Sequence, residues 1–438
     1  MKKIRYIQLI LIGVLGVAIF AFFQFKYPYH FYYQEQEQLF LMDWEYVKGY
    51  LSFSQWGGFA RLVGDFFMQF YYYMYAGAAI LTLMLLVIGD LARRATEGVI
   101  GLFVKNENAI TSWVAFCVGV TAMCICMFFS FDYTFRLSNL VSIAGMCCYV
   151  WLAAWVFKYF ETKRRYSYSS KPMAKGLCIV ACIPFFYLFI PQKEEFKARI
   201  SGPDYTFERV LAFDNEYYFG HYDNVIRMGR EYEGNLTEEE SFFYCMALEK
   251  KGLLADELPK MKAPNLGTFV QVGPETPRFT IRMIDELYYL LGDMTYAERA
   301  ALLANTFSRY GRSARKIKRL AECNLVNGDM PAAMKYLRML EKTIVYKAWA
   351  KKQMESIQPD IAEKQQFVNT SDNIRIGDDC YTILTQLLES NPKNTVALDY
   401  LLLSDMLAQQ RDVFVRDYEK FGPSENATLS SIYMSAKE

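Results

Sequence analysis

The sequence predicts an all-α protein. A polytopic transmembrane helix bundle of about five spans over residues 1–191 is followed by a soluble helical-repeat domain, tetratricopeptide-like, over residues 192–438. Two observations carry this. Five strongly apolar stretches fall within the first 191 residues and none after them. From Tyr205 onward, apolar residues recur at helical spacing between glycine-containing turns.

A membrane-crossing helix needs roughly 20 apolar residues, because each rises about 1.5 Å through a core about 30 Å thick. Residues 4–25, 73–91, 110–131, 137–159 and 173–190 meet that length with almost no ionisable side chain inside them. Residues 97–104 are apolar but short, and read as an in-plane segment or part of a loop. Lys2, Lys3 and Arg5 lie before or at the start of the first stretch; Arg93, Arg94 and Lys105 follow the second; Lys158, Lys163, Arg164, Arg165 and Lys171 lie at the end of or after the fourth. The alternate loops hold fewer cations, with Lys26, Lys48 and Arg61 in one and Arg136 in the other. The positive-inside bias then sets the N-terminus in the cytoplasm. Five crossings place the C-terminal domain outside, in the periplasm of a Gram-negative cell, with the bundle in the inner membrane. The first stretch exceeds a signal-peptide core and lacks a small-residue cleavage site after it, so it is expected to remain as an anchor.

Composition agrees with a bilayer as the first partner: 53% of residues are hydrophobic and 17% aromatic. A net charge of +1 excludes a dedicated nucleic-acid surface. Two histidines make a His-based metal site an unsuitable reading, and no cofactor is expected. There is no Gly-rich phosphate loop, serine elbow or Cys-x-x-Cys pair. Seven of ten cysteines lie in or beside the apolar stretches, where they pack as small apolar groups. Cys245, Cys323 and Cys380 form no disulfide framework, although one bridge stays open.

In the C-terminal half, Gly220, Gly252, Gly292 and Gly328 punctuate the helical pattern. Glycine suits the residue past a helix end because that position often takes a left-handed backbone. Pro331 fits a first helical turn, and Asn391-Pro392-Lys393-Asn394 starts another helix pair. Prolines at 259, 264, 274 and 277 mark residues 259–278 as a loop insertion. No sheet is expected. Stacked helix pairs present concave surfaces to peptides or proteins; an irregular all-α domain is the alternative.

Two places invite a chemical reading. The outer loop at 26–72 carries His30, the acids Glu35, Glu37 and Asp43, then Trp56-Gly57-Gly58. Over 59–70, Phe59, Leu62, Val63, Phe66, Phe67 and Phe70 share one helix face, with Arg61 and Asp65 opposite, as in a helix lying in the membrane interface. Gly57 and Gly58 would supply the bend before it. The layout resembles that of polytopic glycosyltransferases using lipid-linked sugars. That likeness implies Glu35, Glu37 or Asp43 as general base, with His30 or Arg61 holding a phosphate. The plainer reading has these acids solvated or capping helices. The second place is the basic run Arg312, Arg315, Lys316 and Arg319, whose three- and four-residue spacings set it on a helix face. That face is either solvated or offered to an acidic partner or headgroup surface.

Residues 27–40, the pair 57–60 and 66–72, and residues 318–337 with Trp349-Ala350 together resemble a family of unknown function among multi-pass membrane proteins of Bacteroidetes. The resemblance implies an inner-membrane protein with a tetratricopeptide-like outer domain and carries no activity. The leading expectation is a non-enzymatic scaffold whose outer domain binds a partner protein in envelope or surface-glycan biogenesis. The alternative is a membrane transferase acting through the 30–65 loop. A transporter ranks third, since the apolar stretches hold almost no ionisable residue.

Overall fold

A computed structural model describes residues 2–52, 55–104, 108–163, 187–190, 199–262, 264–266, 275–308, 311–368, 379–422 and 433, and every element among them is helical. The chain divides into two compact units. The first is Met1–Glu35 with Phe40–Tyr205; the second is Gln36–Leu39 with Thr206–Glu438.

In the first unit the helices are α1 (Lys2–Lys26), α2 (Tyr29–Gln36), α3 (Trp44–Tyr50), α4 (Gly58–Met68), α5 (Ala76–Phe103), α6 (Ala109–Phe129) and α7 (Leu137–Lys163). Four of them, α1, α5, α6 and α7, are long and apolar enough to cross a membrane, which makes this a membrane protein. The fifth expected crossing, 173–190, lies outside the described residues except for 187–190. Residues 97–103 depart from expectation. They are the unbroken end of α5 rather than a loop or in-plane segment, and Arg93 and Arg94 are helical as well. The cause is a ladder of ion pairs one turn apart: Arg93 reaches Asp90 at 2.6 Å and Glu97 at 2.8 Å, and Arg94 reaches Asp90 at 2.6 Å.

Helix α5 packs against α1, α6 and α7. Its approach to α6 is set by glycines, since a Cβ on Gly119 would stand 2.5 Å from the carbonyl oxygen of Gly89. Small residues at such a crossing let backbones approach, which drives helix association in lipid. Phe23, Leu85, Ile88, Met68 and Met123 fill the core, with Phe23 stacked on Phe131 at 5.5 Å.

Helix α4 begins after the bend expected of Gly57, whose φ is +69°. Its protein-facing side is Gly58, Ala60, Gly64, Asp65 and Met68, while Phe59 and Phe67 are exposed. The small and acidic side, not the aromatic one, is therefore turned into the protein.

The second unit contains α8 (Tyr205–Tyr218), α9 (Tyr222–Glu231), α10 (Glu238–Lys250), α11 (Leu254–Glu257), α12 (Arg278–Leu290), α13 (Met294–Phe307), α14 (Ala314–Asn327), α15 (Met330–Glu341), α16 (Lys347–Glu355), α17 (Pro359–Lys364), α18 (Cys380–Ser390), α19 (Thr395–Leu407) and α20 (Arg411–Phe421). From α12 to α16 each helix packs on its chain neighbours, as do α9, α10 and α11, and α18, α19 and α20. All four turn glycines take positive φ, between +66° and +81°. Side chains cap the following helices: Asp293 accepts from the Tyr296 amide at 3.1 Å, Asp329 from Ala332 at 3.0 Å and Asn394 from Ala397 at 3.0 Å. Pro331 sits in the first turn of α15, as expected. The insertion around 259–278 is non-helical at 264–266, and 267–274 lie outside the described residues. All described cysteines are free, and Cys245 and Cys323 are buried.

Candidate functional site

Three helices of the second unit supply charged side chains to one buried place. Helix α8 gives Asp214 and Asn215. Helix α12 gives Arg282, Asp285 and Glu286, one turn apart on one face. Helix α14, capped by Ser313, gives Arg315, Lys316, Lys318, Arg319 and Glu322. The fourth contributor is the segment Gln36–Leu39, which belongs to this unit although it lies far away in sequence.

Arg315 is the centre. It is 1% exposed. Its guanidinium contacts Asp214 at 2.8 Å, Glu286 at 2.8 Å and the Gln36 side-chain oxygen at 3.0 Å, and its charge lies 4.4 Å from the Tyr218 ring. Arg282 contacts Asp214 at 3.2 Å and Glu37 at 3.1 Å, and donates to the same Gln36 oxygen. Lys316 donates to Asp285 at 2.6 Å. Arg319 pairs with Glu286 and with Glu322 at 2.7 Å, over the Tyr289 ring at 3.9 Å. Lys318 closes the set on Glu322 at 3.0 Å. Arg282, Arg315, Lys316, Lys318 and Arg319 thus meet Glu37, Asp214, Asp285, Glu286 and Glu322, five charges of each sign. Balance is what makes the burial tolerable, since a lone buried ion carries a desolvation penalty of several kcal/mol.

The titrations follow. Burial alone would raise the Glu286 carboxyl, but Arg319, Arg315 and Lys316 overcome it and hold Glu286 well below the usual carboxylate range. Burial pulls the Lys316 ammonium down, and Asp285 opposes it. Burial works against the Arg315 cation too, yet Asp214 and Glu286 leave it bound more firmly to its proton than a free guanidinium.

Gln36 is read at both ends of its side chain and at its carbonyl. Its Oε1 accepts from Arg282 and Arg315, its Nε2 donates to Asn215 Oδ1 at 2.8 Å, and its carbonyl accepts from Ser313 Oγ at 2.7 Å. Two residues on, the Gln38 carbonyl accepts from the Ala314 amide at 3.2 Å.

This placement corrects the basic run as a surface feature. Arg315, Lys316 and Arg319 are buried and face carboxylates, and of the four only Arg312 is exposed. Spacing alone could not reveal the carboxylates of α12 standing opposite. A usable signal was present: Arg282, Asp285 and Glu286 repeat at three- and four-residue steps among Phe279, Ile281, Met283, Ile284 and Leu287, on a helix too apolar for a solvated charged stripe. Asp214, Asn215 and Gln36 carried no such mark.

The outer-loop candidates do not converge. Glu37 pairs with Arg282 in the second unit. In the first unit Glu35 is 3% exposed, which corrects its reading as a solvated acid. Asp43 caps α3, accepting from the Glu45 amide at 3.0 Å. His30 is buried against Phe23, Tyr27 and Phe31, with Nδ1 2.8 Å from the Tyr27 carbonyl. Burial pushes it down to about 3. Arg61 donates to Gln55 at 2.5 Å and lies over the Tyr50 ring. Trp56 is exposed with its ring 5.5 Å from Tyr187. A Cβ on Gly58 would meet the Tyr50 carbonyl oxygen at 1.7 Å, so only glycine fits there. The acid that α4 does bury is Asp65, which accepts from the Tyr50 hydroxyl at 3.0 Å and faces Arg136 at 4.0 Å. Among the described residues no group of histidine, cysteine, aspartate and glutamate has the arrangement of a metal site.

The fold and this cluster define a multi-pass membrane protein whose second, all-helical unit is organised around buried, mutually neutralising charges. The chain belongs to a family of unknown function, DUF6057, whose model matches residues 2–190 and 154–436. No curated protein and no solved structure matches it.

Proposed function

We propose that the protein is a non-catalytic scaffold of the bacterial inner membrane, whose tetratricopeptide-like second unit lies in the periplasm and binds a partner protein in envelope or surface-glycan biogenesis. The observation that carries this reading is the use to which the charged side chains are put. Glu37 is spent on Arg282, Asp43 on a helix cap, and Glu35 and His30 are buried. Meanwhile half-buried Tyr218, Tyr222, Tyr289 and Trp349 stand around Lys318 and Arg319, with Lys318 5.2 Å from both the Tyr218 and Trp349 rings. Aromatic side chains held half-exposed by a rigid helical frame are the usual anchors of protein recognition.

Topology supports the outer placement. Gln36–Leu39 and 206–438 form one unit and so occupy one side of the membrane. The crossing helices α5, α6 and α7 lie between them in sequence. Three crossings change side, so return to the same side calls for one more, which the apolar composition of 173–190 supplies. With the first crossing before Gln36, the second unit lies opposite the N-terminus.

The test is photocrosslinking in intact cells from positions 222 and 349, with Arg227 on an exposed helix face as control. One defined adduct at 222 and 349, absent at 227, supports the scaffold. No adduct, or the same smear at all three, sinks it. In a functional assay, loss of 206–438 should abolish activity while Glu35→Ala and Asp43→Ala are tolerated; the opposite ranking would favour a transferase on a lipid-linked donor.

A further inference from the structure

The second unit holds four residues that no continuity of its own chain explains. Gln36 and Asn215 are 179 residues apart, and Gln36 and Arg315 are 279 apart. From Glu37 to Asp43 the chain forms no helix. Gln36, the last residue of α2, and Glu37–Leu39 after it are gripped as a bound peptide is gripped. Its backbone carbonyls accept from Ser313 Oγ and the Ala314 amide. A glutamine side chain has both its acceptor and its donor end matched, and the next side chain, a carboxylate, meets Arg282. Leu39 adds a buried apolar anchor at 4% exposure. Main-chain hydrogen bonds for affinity and side-chain pockets for specificity are a general plan of peptide recognition.

We propose that the groove between α8, α12 and the start of α14 is a recognition site for a glutamine–acidic peptide that leaves a helix end, occupied in cis by Gln36–Leu39 and open to exchange with the same sequence presented in trans. The inference rests on the reading of the second unit as a partner-binding module and names the chemistry of one partner segment. Tethering explains why the cis segment dominates. A linked ligand competes intramolecularly, so a free peptide succeeds only where the resident segment is weakened.

The experiment uses the full-length protein in detergent and a fluorescent peptide of residues 34–42. The double variant Gln36→Ala, Glu37→Ala should bind this peptide saturably and at least about tenfold more tightly than the unaltered protein does. The same peptide carrying alanine at position 36 should fail to bind. A folded double variant that binds no peptide, or binds a scrambled one equally, overturns the proposal. If the double variant does not fold, Gln38→Cys in the otherwise unaltered chain decides. Maleimide should label the thiol introduced at position 38 at least about tenfold faster than the buried native Cys323 of α14 in the same molecules, because detachment of the segment leaves the helices closed. Labelling of both thiols at one rate would mean that residues 36–39 are a fixed part of the fold, and the proposal would fall. Either failure leaves the crosslinks from 222 and 349 unaffected, so it is distinguishable from failure of the scaffold reading.

Discussion

Replacing Glu286 by glutamine removes one negative charge and almost no volume from the middle of the buried cluster. Glu286 is 4% exposed, receives Arg315 at 2.8 and 3.2 Å, and receives Arg319 on its other oxygen. The amide keeps one acceptor and turns an N–H₂ toward guanidinium donors, leaving two buried cations short of a counter-charge. Breaking one partner out of a buried ion pair destabilises by about 3–5 kcal/mol. At about 1.36 kcal/mol per factor of ten, that is roughly two to four powers of ten in the opening equilibrium. Native-state hydrogen exchange on full-length protein in detergent reads this directly, as faster exchange of α12 and α14 peptides. Lys351→Ala serves as control, because its pair with Glu341 is 3.9 Å long and exposed; it should shift exchange by no more than about 0.5 kcal/mol. Pairing Glu286→Leu with Arg315→Met should recover much of the loss, since apolar replacement of a whole buried pair is often neutral. A Glu286→Gln loss under about 1 kcal/mol would refute the charge accounting. Acid provides an independent check. The folded carboxyl lies below its unfolded value of about 4.3, so its contribution is complete above that pH and fades only as pH falls below it.

Glu249 behaves in the opposite sense. Burial, then Asp399, raises it to about 8, so between about 4.3 and about 8 the folded state holds a proton that the unfolded state has released. Its contribution should be complete below about pH 4.3 and be lost as pH rises toward 8, and Glu249→Gln should flatten that slope in pH-dependent melting. Gly58→Ala should lower the melting temperature of the first unit by an overpacking loss of about 1–3 kcal/mol. Gly49→Ala, with nothing within 4 Å of its Cβ, should be neutral or stabilising by up to about 1 kcal/mol. Asp43→Ala should lose about 0.5–2 kcal/mol locally through its cap, seen as faster exchange of the first α3 amides.

The membrane helices were legible because length and apolarity are properties of a segment alone: α1, α6 and α7 fall close to their expected bounds. The turn glycines were legible for the same reason, since a left-handed backbone is a local demand. What stayed hidden depended on a second segment. The charged turn of α5 reads as an interface until its ladder of ion pairs is seen to continue the helix. The aromatic stripe of α4 was visible, but not that Asp65 on the other side would be buried against Tyr50 and Arg136. The basic run of α14 looked solvated because nothing in its own spacing announces Asp214, Asp285 and Glu286 on other helices. Gln36 is the extreme case, a neutral residue that makes four hydrogen bonds to partners beyond residue 210.

The membership of Gln36–Leu39 in the second unit also imposes an order of events on biogenesis. These residues leave the ribosome early, and the 279 residues separating Gln36 from Arg315 take on the order of 15–60 s to follow at about 5–20 residues per second. During that interval at least the three hydrophobic helices α5, α6 and α7 must be inserted, and the tetrapeptide waits without its pocket. The second unit therefore completes its interior only near the end of synthesis, as a closure of high contact order. A chain starting at residue 206 would be born with Arg282 and Arg315 lacking the acceptor they share. Genetic lesions at position 36 and at position 315 should consequently look alike.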